Sequence, residues 1–134
     1  MGSGLSAGID VVSTKKAYSS TSPLSQAIRC NGFLYCSGQV PVDPATGEVP
    51  SGIKSQTKQV IENLKAVLEA GGCEMADVVK TTIFLIDLGD FSRMNEVYGT
   101  YFKHPRPART AVVVAGLARP EWRIEIELVA VLHE

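Results

Sequence analysis

The sequence predicts an α+β domain, with one sheet of five or six strands and two helices on a single face. Three observations lead there. Apolar residues in 53–70 recur at helical spacing, whereas those in 78–86 and 107–131 come in β-branched runs. The order of elements, ββ(β)–α–β–α–β–β, leaves two helices for the whole sheet. The 134 residues, 45% hydrophobic and 20% charged, suit a single domain spanning 1–134. That length buries a core without staples.

The elements follow in order. Residues 1–8, opening Met1-Gly2-Ser3-Gly4, are expected to be flexible and could be a cloning remnant; they lack the charged and apolar regions of a signal peptide. Residues 9–13 read as a short strand, and 15–23, rich in Ser and Thr, as a loop. Residues 25–30 and 33–37 form a hairpin about Asn31-Gly32, the dipeptide suited to a type I′ turn with positive φ at both positions. Gly38 ends the hairpin, and a glycine there allows close approach by a ligand or another chain. After turns at Pro44-Ala45-Thr46-Gly47 and Pro50-Ser51-Gly52 comes the main helix, 53–70. Its stripe is Ile53, Val60, Ile61, Leu64, Val67 and Leu68, and Gly71-Gly72 stops it.

Residues 78–86 form the next strand. Asp90 then reads as the cap of a helix over 91–102, with Phe91, Met94, Val97, Tyr98 and Tyr101 as its apolar stripe. Pro105-Arg106-Pro107 prevents its continuation. Two closing strands follow, separated by 116–123. They are apolar on both parities, with Val112 and Val114 on one and Ala111 and Val113 on the other. Strands of that kind are covered on both sides. No helix remains for the second face, so an obligate homo-oligomer is expected.

The charges inside these closing strands are the candidates for chemistry. Arg109 stands where a loop becomes a strand, and guanidinium is suited to a two-point grip on a carboxylate or phosphate. An ion pair with Glu125 or Glu127 is an equally open reading. Glu125 and Glu127 share one face of their strand, opposite Ile124, Ile126 and Leu128. A carboxylate desolvated on such a strand has a raised pKa, as a general acid or base needs; an exposed or interface ion pair is the plainer alternative. If the closing strands paired as a hairpin, Arg109 would lie roughly 20 Å from Glu125 at ~3.3 Å per residue. Either the strands are not neighbours, or twist or a second chain brings the two together.

Other candidates are weaker. Asn95 lies on the polar side of its helix, and Ser37-Gly38-Gln39 could offer a backbone N–H to an anion. Cys30, Cys36 and Cys73 form no C-x-x-C pair; Cys30 and Cys36 flank the hairpin without a basic partner on their own strand face, and Cys73, after two glycines, reads as an inert loop thiol. With His104 and His133 the only histidines, no metal spacing occurs, and no cofactor motif is present. Thirteen basic against 14 acidic residues, scattered, argue against a nucleic-acid partner. No apolar run approaches the roughly 20 residues of a membrane helix. Three thiols suggest a reducing compartment, expected to be the cytoplasm, or the mitochondrion if a transit peptide was removed.

Taken together, Tyr35-Cys36-Ser37-Gly38-Gln39-Val40-Pro41, Thr46-Gly47-Glu48-Val49, Val79-Lys80-Thr81-Thr82-Ile83-Phe84-Leu85-Ile86-Asp87-Leu88, Phe91 with Asn95-Glu96-Val97-Tyr98, Pro107-Ala108-Arg109 and Ile124-Glu125-Ile126-Glu127 resemble the Rid family. These are the YjgF-type reactive-intermediate (imine/enamine) deaminases once labelled L-PSP endoribonucleases. The resemblance runs from about Ser22 to the C-terminus. It implies a chorismate-mutase-like α+β fold with a single mixed sheet, and a homotrimer with ligand sites between subunits. It implies hydrolysis of 2-aminoacrylate-like enamines and imines to 2-keto acids and ammonia, without metal or organic cofactor. Arg109 matches the arginine that grips the substrate carboxylate, and Glu125 the acid that activates water. Gly38 matches a backbone donor, and Ser37 and Asn95 match pocket positions.

The chain departs from the family at two places. Leu24, in Ser22-Pro23-Leu24-Ser25-Gln26, stands where a tyrosine is common, and Ala111 where a cysteine is common, although the Ala111 carbonyl could still meet a ligand. The pocket is thus expected to be more apolar, with room for a larger imine. Imine deamination is the leading expectation. A non-catalytic, regulatory carboxylate-binding protein is the second, favoured by Leu24 and Ala111. RNA cleavage or translation inhibition comes third, against the charge balance.

Overall fold

A computed structural model gives the fold, described here for residues 8–133. The flexible start expected over 1–8 falls outside the described residues, Gly8 apart. Among the described residues there are six strands and two α-helices. They are β1 (Asp10–Val12), β2 (Ala27–Cys30), β3 (Phe33–Gln39), α1 (Ile53–Ala70), β4 (Val78–Leu85), α2 (Phe91–Tyr101), β5 (Ala108–Val113) and β6 (Ile124–Val131). One mixed sheet runs β1-β2-β3-β6-β4-β5. Its neighbours are antiparallel except β4 and β5, which are parallel.

The hairpin turns where expected. Asn31 and Gly32 have φ of 53° and 84°, the positive values a type I′ turn needs, and Cys30 faces Phe33 across it. The strand does not stop at Gly38. β3 continues to Gln39, with an irregularity against β6 between Cys36 and Gln39. The expected strand end is therefore a bulge, which bends the strand without ending its pairing.

The predicted α1 stripe is buried throughout. Gly71 ends the helix, its N–H reaching the Val67 and Leu68 carbonyls, and Gly72 takes φ 85°. Three buried polar residues of α1 were not anticipated. Thr57 donates back to the Ile53 carbonyl; Asn63 donates to Val40 and Val42; Gln56 donates to Pro50 and Glu121 and accepts from the Arg123 N–H. The latter two pin loops that water would otherwise solvate. Asp90 also departs from expectation. It precedes α2 but makes no capping bond; its buried carboxylate accepts from Arg123 Nε at 2.9 Å and Nη2 at 2.8 Å. A bidentate ion pair outcompetes a single N-cap hydrogen bond.

The two closing strands are not neighbours, because β4 lies between them. Along β6, Ile124, Ile126, Leu128 and Ala130 point into the core under the helices, while Glu125, Glu127, Val129 and Val131 face the other way. That other face has no helix over it. It exposes Val11, Phe33, Tyr35, Val112 and Val131 by 37–67%. β5 is the sheet edge and has no buried residue. No helix of the described residues is long and apolar enough to cross a membrane.

Candidate active site: two half-sites on opposite faces

Glu125 sits on the bare face, in register with Phe84 of β4. It is half-buried. Burial raises its carboxyl above the usual value, and repulsion from exposed Glu127 adds to this. The β3 bulge brings Gly38 against it. A Cβ built on Gly38 would overlap the carboxylate, whose carbon would lie only 2.9 Å away. Gly38 is thus a close-approach glycine, and the group that approaches it is the chain's own Glu125, where the sequence suggested a ligand or another chain.

A cavity of about 300 Å³ opens beside this pair. Its walls include Ser37, Gly38, Glu125, Leu24, Tyr18 and Trp122. Ser37 donates its hydroxyl to the Ser25 carbonyl at 2.6 Å and its N–H to the Gln26 carbonyl, which ties it to the loop opposite. Leu24 lines the cavity with its side chain half exposed, where a phenol would have stood. Gln26, which sequence reasoning passed over, knots the loop that forms one wall. Its amide donates to Thr14, Tyr18 and Ser19 and accepts from the Thr14 N–H. Behind the cavity, Trp122 packs with Val40 and Val42, and edge-on to Tyr18 at 6.4 Å.

Arg109 lies elsewhere. On β5 it is in register with Thr81, whose buried side chain faces the helices, so Arg109 takes the helix side of the sheet. Its Nη1 donates to Asn95 Oδ1 at 2.7 Å, and its guanidinium carbon lies over Phe91 and Tyr98 of α2. Ala111, two residues on, shares that side, opposite Ile83. Among the described residues Arg109 forms no salt bridge, so the ion pair with Glu125 or Glu127 does not occur within the chain. Arg109, Asn95 and Ala111 thus lie on the helix side of the sheet, and Glu125, Gly38, Ser37 and Leu24 gather around the cavity, so the expected site residues fall into two groups.

The thiols play no visible part. Cys36 is pushed up to about 12 by burial and then by Cys73, and Cys73 is itself raised, first by burial. Neither is a ready nucleophile. Among the described residues no group of three or more His, Cys, Asp or Glu gathers to hold a metal ion.

A single mixed sheet with two helices on one face, and with a cation and a carboxylate presented on opposite sides, defines a class of small α+β proteins. Within that class the chain belongs to the family described as Endoribonuclease L-PSP, whose sequence profile matches residues 14–132, and thus to the Rid group. It is 47% identical over 122 residues to the 2-iminobutanoate/2-iminopropanoate deaminase of Mus musculus, covering 90% of each chain. The Rid family protein YyfA of Yersinia pestis superposes with a TM-score of 0.89 at 42% identity, over 93% of this chain and 100% of that one. TdcF of E. coli, solved with bound serine, superposes with a TM-score of 0.87 at 36% identity, over 92% and 99%.

Proposed function

We propose that the chain is a hydrolytic deaminase of imines and enamines derived from amino acids, working as a homotrimer. Arg109 of one copy holds the substrate carboxylate, and Glu125 of the next activates water. The observation that carries this reading is Glu125, a carboxylate of raised pKa set over Gly38 at the edge of a 300 Å³ cavity. The relative named as a 2-iminobutanoate/2-iminopropanoate deaminase at 47% identity supports the activity, and the serine-bound neighbour supports a ligand of amino-acid size.

Glu125 takes a proton from water as the water oxygen bonds to the carbon of the protonated imine, and the C=N π pair moves to nitrogen, leaving a neutral amine. The protonated Glu125 then returns that proton to the amine, and the C–N bond breaks as a lone pair of the hydroxyl oxygen forms the C=O bond, so that ammonia leaves. The hydroxyl proton passes to the Glu125 carboxylate and on to solvent, which completes the keto acid. An enamine enters the same sequence after taking a proton on its terminal carbon. Fixed orientation and one acid–base group suffice for such steps.

Association completes the site. Arg109 and Glu125 stand on opposite faces of one sheet, so a head-to-tail contact between copies unites them, and a ring of three closes it. The bare apolar face and the edge strand β5 provide surface for that contact. Compartment follows the same reading, with the cytoplasm as the expected site of action.

The test is keto-acid release from imines generated by an amino-acid oxidase, with wild type beside Arg109→Ala and Glu125→Gln. Glu125→Gln is expected to lower kcat about 10²- to 10⁴-fold. Arg109→Ala is expected to raise KM by one to two orders of magnitude, roughly the worth of a charge-assisted hydrogen-bond pair. Wild type that accelerates none of several imines sinks the proposal. Leu24 at the cavity mouth favours one second reading, a binding protein without turnover. Stabilisation by 2-keto acids with no acceleration would select it.

A further inference from the structure

We propose that Phe91 and Tyr98 are positioning residues that clamp the Arg109 guanidinium in the orientation that receives a carboxylate. The inference rests on the reading of Arg109 as the carboxylate grip.

Three groups on one face of α2 meet this side chain. Positions 91 and 98 are two helical turns apart and therefore aligned, and Asn95 falls between them. The guanidinium carbon lies 5.0 Å from the Tyr98 ring centroid and 5.6 Å from that of Phe91, within reach of a cation–π contact with each. Asn95 Oδ1 accepts one of its N–H groups at 2.7 Å. None of these partners is an anion, so the positive charge stays available to a ligand. An arginine on an exposed edge strand would otherwise sample many rotamers.

The clamp is itself fixed. Tyr98 is buried, and its hydroxyl shares a 2.7 Å hydrogen bond with Thr81 Oγ1. Its ring stacks on Phe102 at 4.4 Å. Thr81 is the residue in register with Arg109 across β4 and β5. A closed circuit results. The backbone register places Arg109 beside Thr81, Thr81 orients Tyr98, and the Tyr98 ring meets the guanidinium. The arrangement fits a ligand carboxylate that approaches the guanidinium in its plane, the geometry of a two-point contact.

The experiment compares wild type with Phe91→Leu, Tyr98→Leu and Tyr98→Phe. It measures kcat and KM on an oxidase-generated imine, and Kd for a 2-keto acid and for its neutral amide. Folding is checked by circular dichroism and Tm. In Phe91→Leu and Tyr98→Leu, KM and the keto-acid Kd are expected to rise about fivefold to thirtyfold, with kcat nearly unchanged. The preference for acid over amide shrinks by the same factor, which a purely structural role would not cause. Tyr98→Phe keeps the ring and loses the Thr81 bond, so its rise is smaller. Folded variants with unchanged KM and unchanged preference for acid over amide overturn the proposal while wild-type turnover persists. Should Tyr98→Leu not fold, half-exposed Phe91 decides by itself. A wild type that neither binds keto acids nor turns over imines instead overturns the deaminase reading, and the clamp with it.

Discussion

At the scale of residues, Glu125 links the site to pH. Burial and Glu127 raise its carboxyl pKa above the ordinary 4.5, so the folded chain holds a proton that the unfolded chain has released. Stability therefore falls as pH rises through the window between the two values, and the contribution is complete only below it. Activity runs the opposite way, since the base form is the working one. We expect the acid limb of kcat/KM to lie above 4.5 and the stability slope in that window to flatten in Glu125→Gln. Denaturant unfolding over a pH series, beside a wild-type pH–rate profile, measures both. A wild-type limb at or below the ordinary carboxylate value would remove Glu125 from the role of base. Arg109 and Glu125 stand out in the sequence because a charge in an apolar strand costs free energy, while the roles proposed for them rest on the family resemblance. Phe91 and Tyr98 were legible only as an apolar stripe. Periodicity states which face of a helix is buried, not which side chain from another strand lies across it. Asp90 was misread for the same reason, since its partner Arg123 is 33 residues away.

At the scale of elements, the loops around the cavity are held by buried amides and not by apolar packing alone. Gln26 makes four hydrogen bonds at the start of β2, to residues 7–12 positions earlier. Gln26→Ala is expected to cost roughly 1–3 kcal/mol, because the Thr14 backbone N–H and carbonyl lose their partner, while the Tyr18 carbonyl keeps Gln39. Hydrogen exchange should rise over 14–24 before it rises in α1, and an unchanged Tm would refute this account. Helices and strands were read to within a few residues, because their spacing is written locally. The amide anchors were not legible. A glutamine in sequence carries no mark of the carbonyl it will meet, and Gln56 reaches across 65 residues to Glu121. The bulge at Gly38 was read as a strand end because a glycine signals a change of backbone path without stating which change.

At the scale of the molecule, the separation of Arg109 and Glu125 onto opposite faces makes a genetic test of assembly available. In a ring with each site shared between two copies, Arg109→Ala chains supply a sound Glu125 and Glu125→Gln chains a sound Arg109. Equal mixing by unfolding and refolding should restore about a quarter of wild-type activity, since about one site in four then receives both sound halves. Assayed at substrate well below KM, where both parents are impaired, a mixture no more active than its parents would exclude a shared site. Sedimentation of the same samples should give three times the 14.4 kDa chain mass. The bare face was legible from the two apolar parities of the closing strands. The sheet order was not. Local pattern carries no information on which strands become neighbours, and β4 between β5 and β6 excludes the hairpin, and it still leaves Arg109 and Glu125 on opposite faces of the sheet.

The last strand made is also a middle strand of the sheet. β6 pairs with β3 on one side and β4 on the other, so it joins Phe33–Gln39 to Val78–Leu85. Until β6 is in place, the β1–β3 meander and the β4–β5 pair remain separate halves, each with an open edge. A chain cut just before residue 124 keeps most of its sequence yet cannot join the two halves of its sheet.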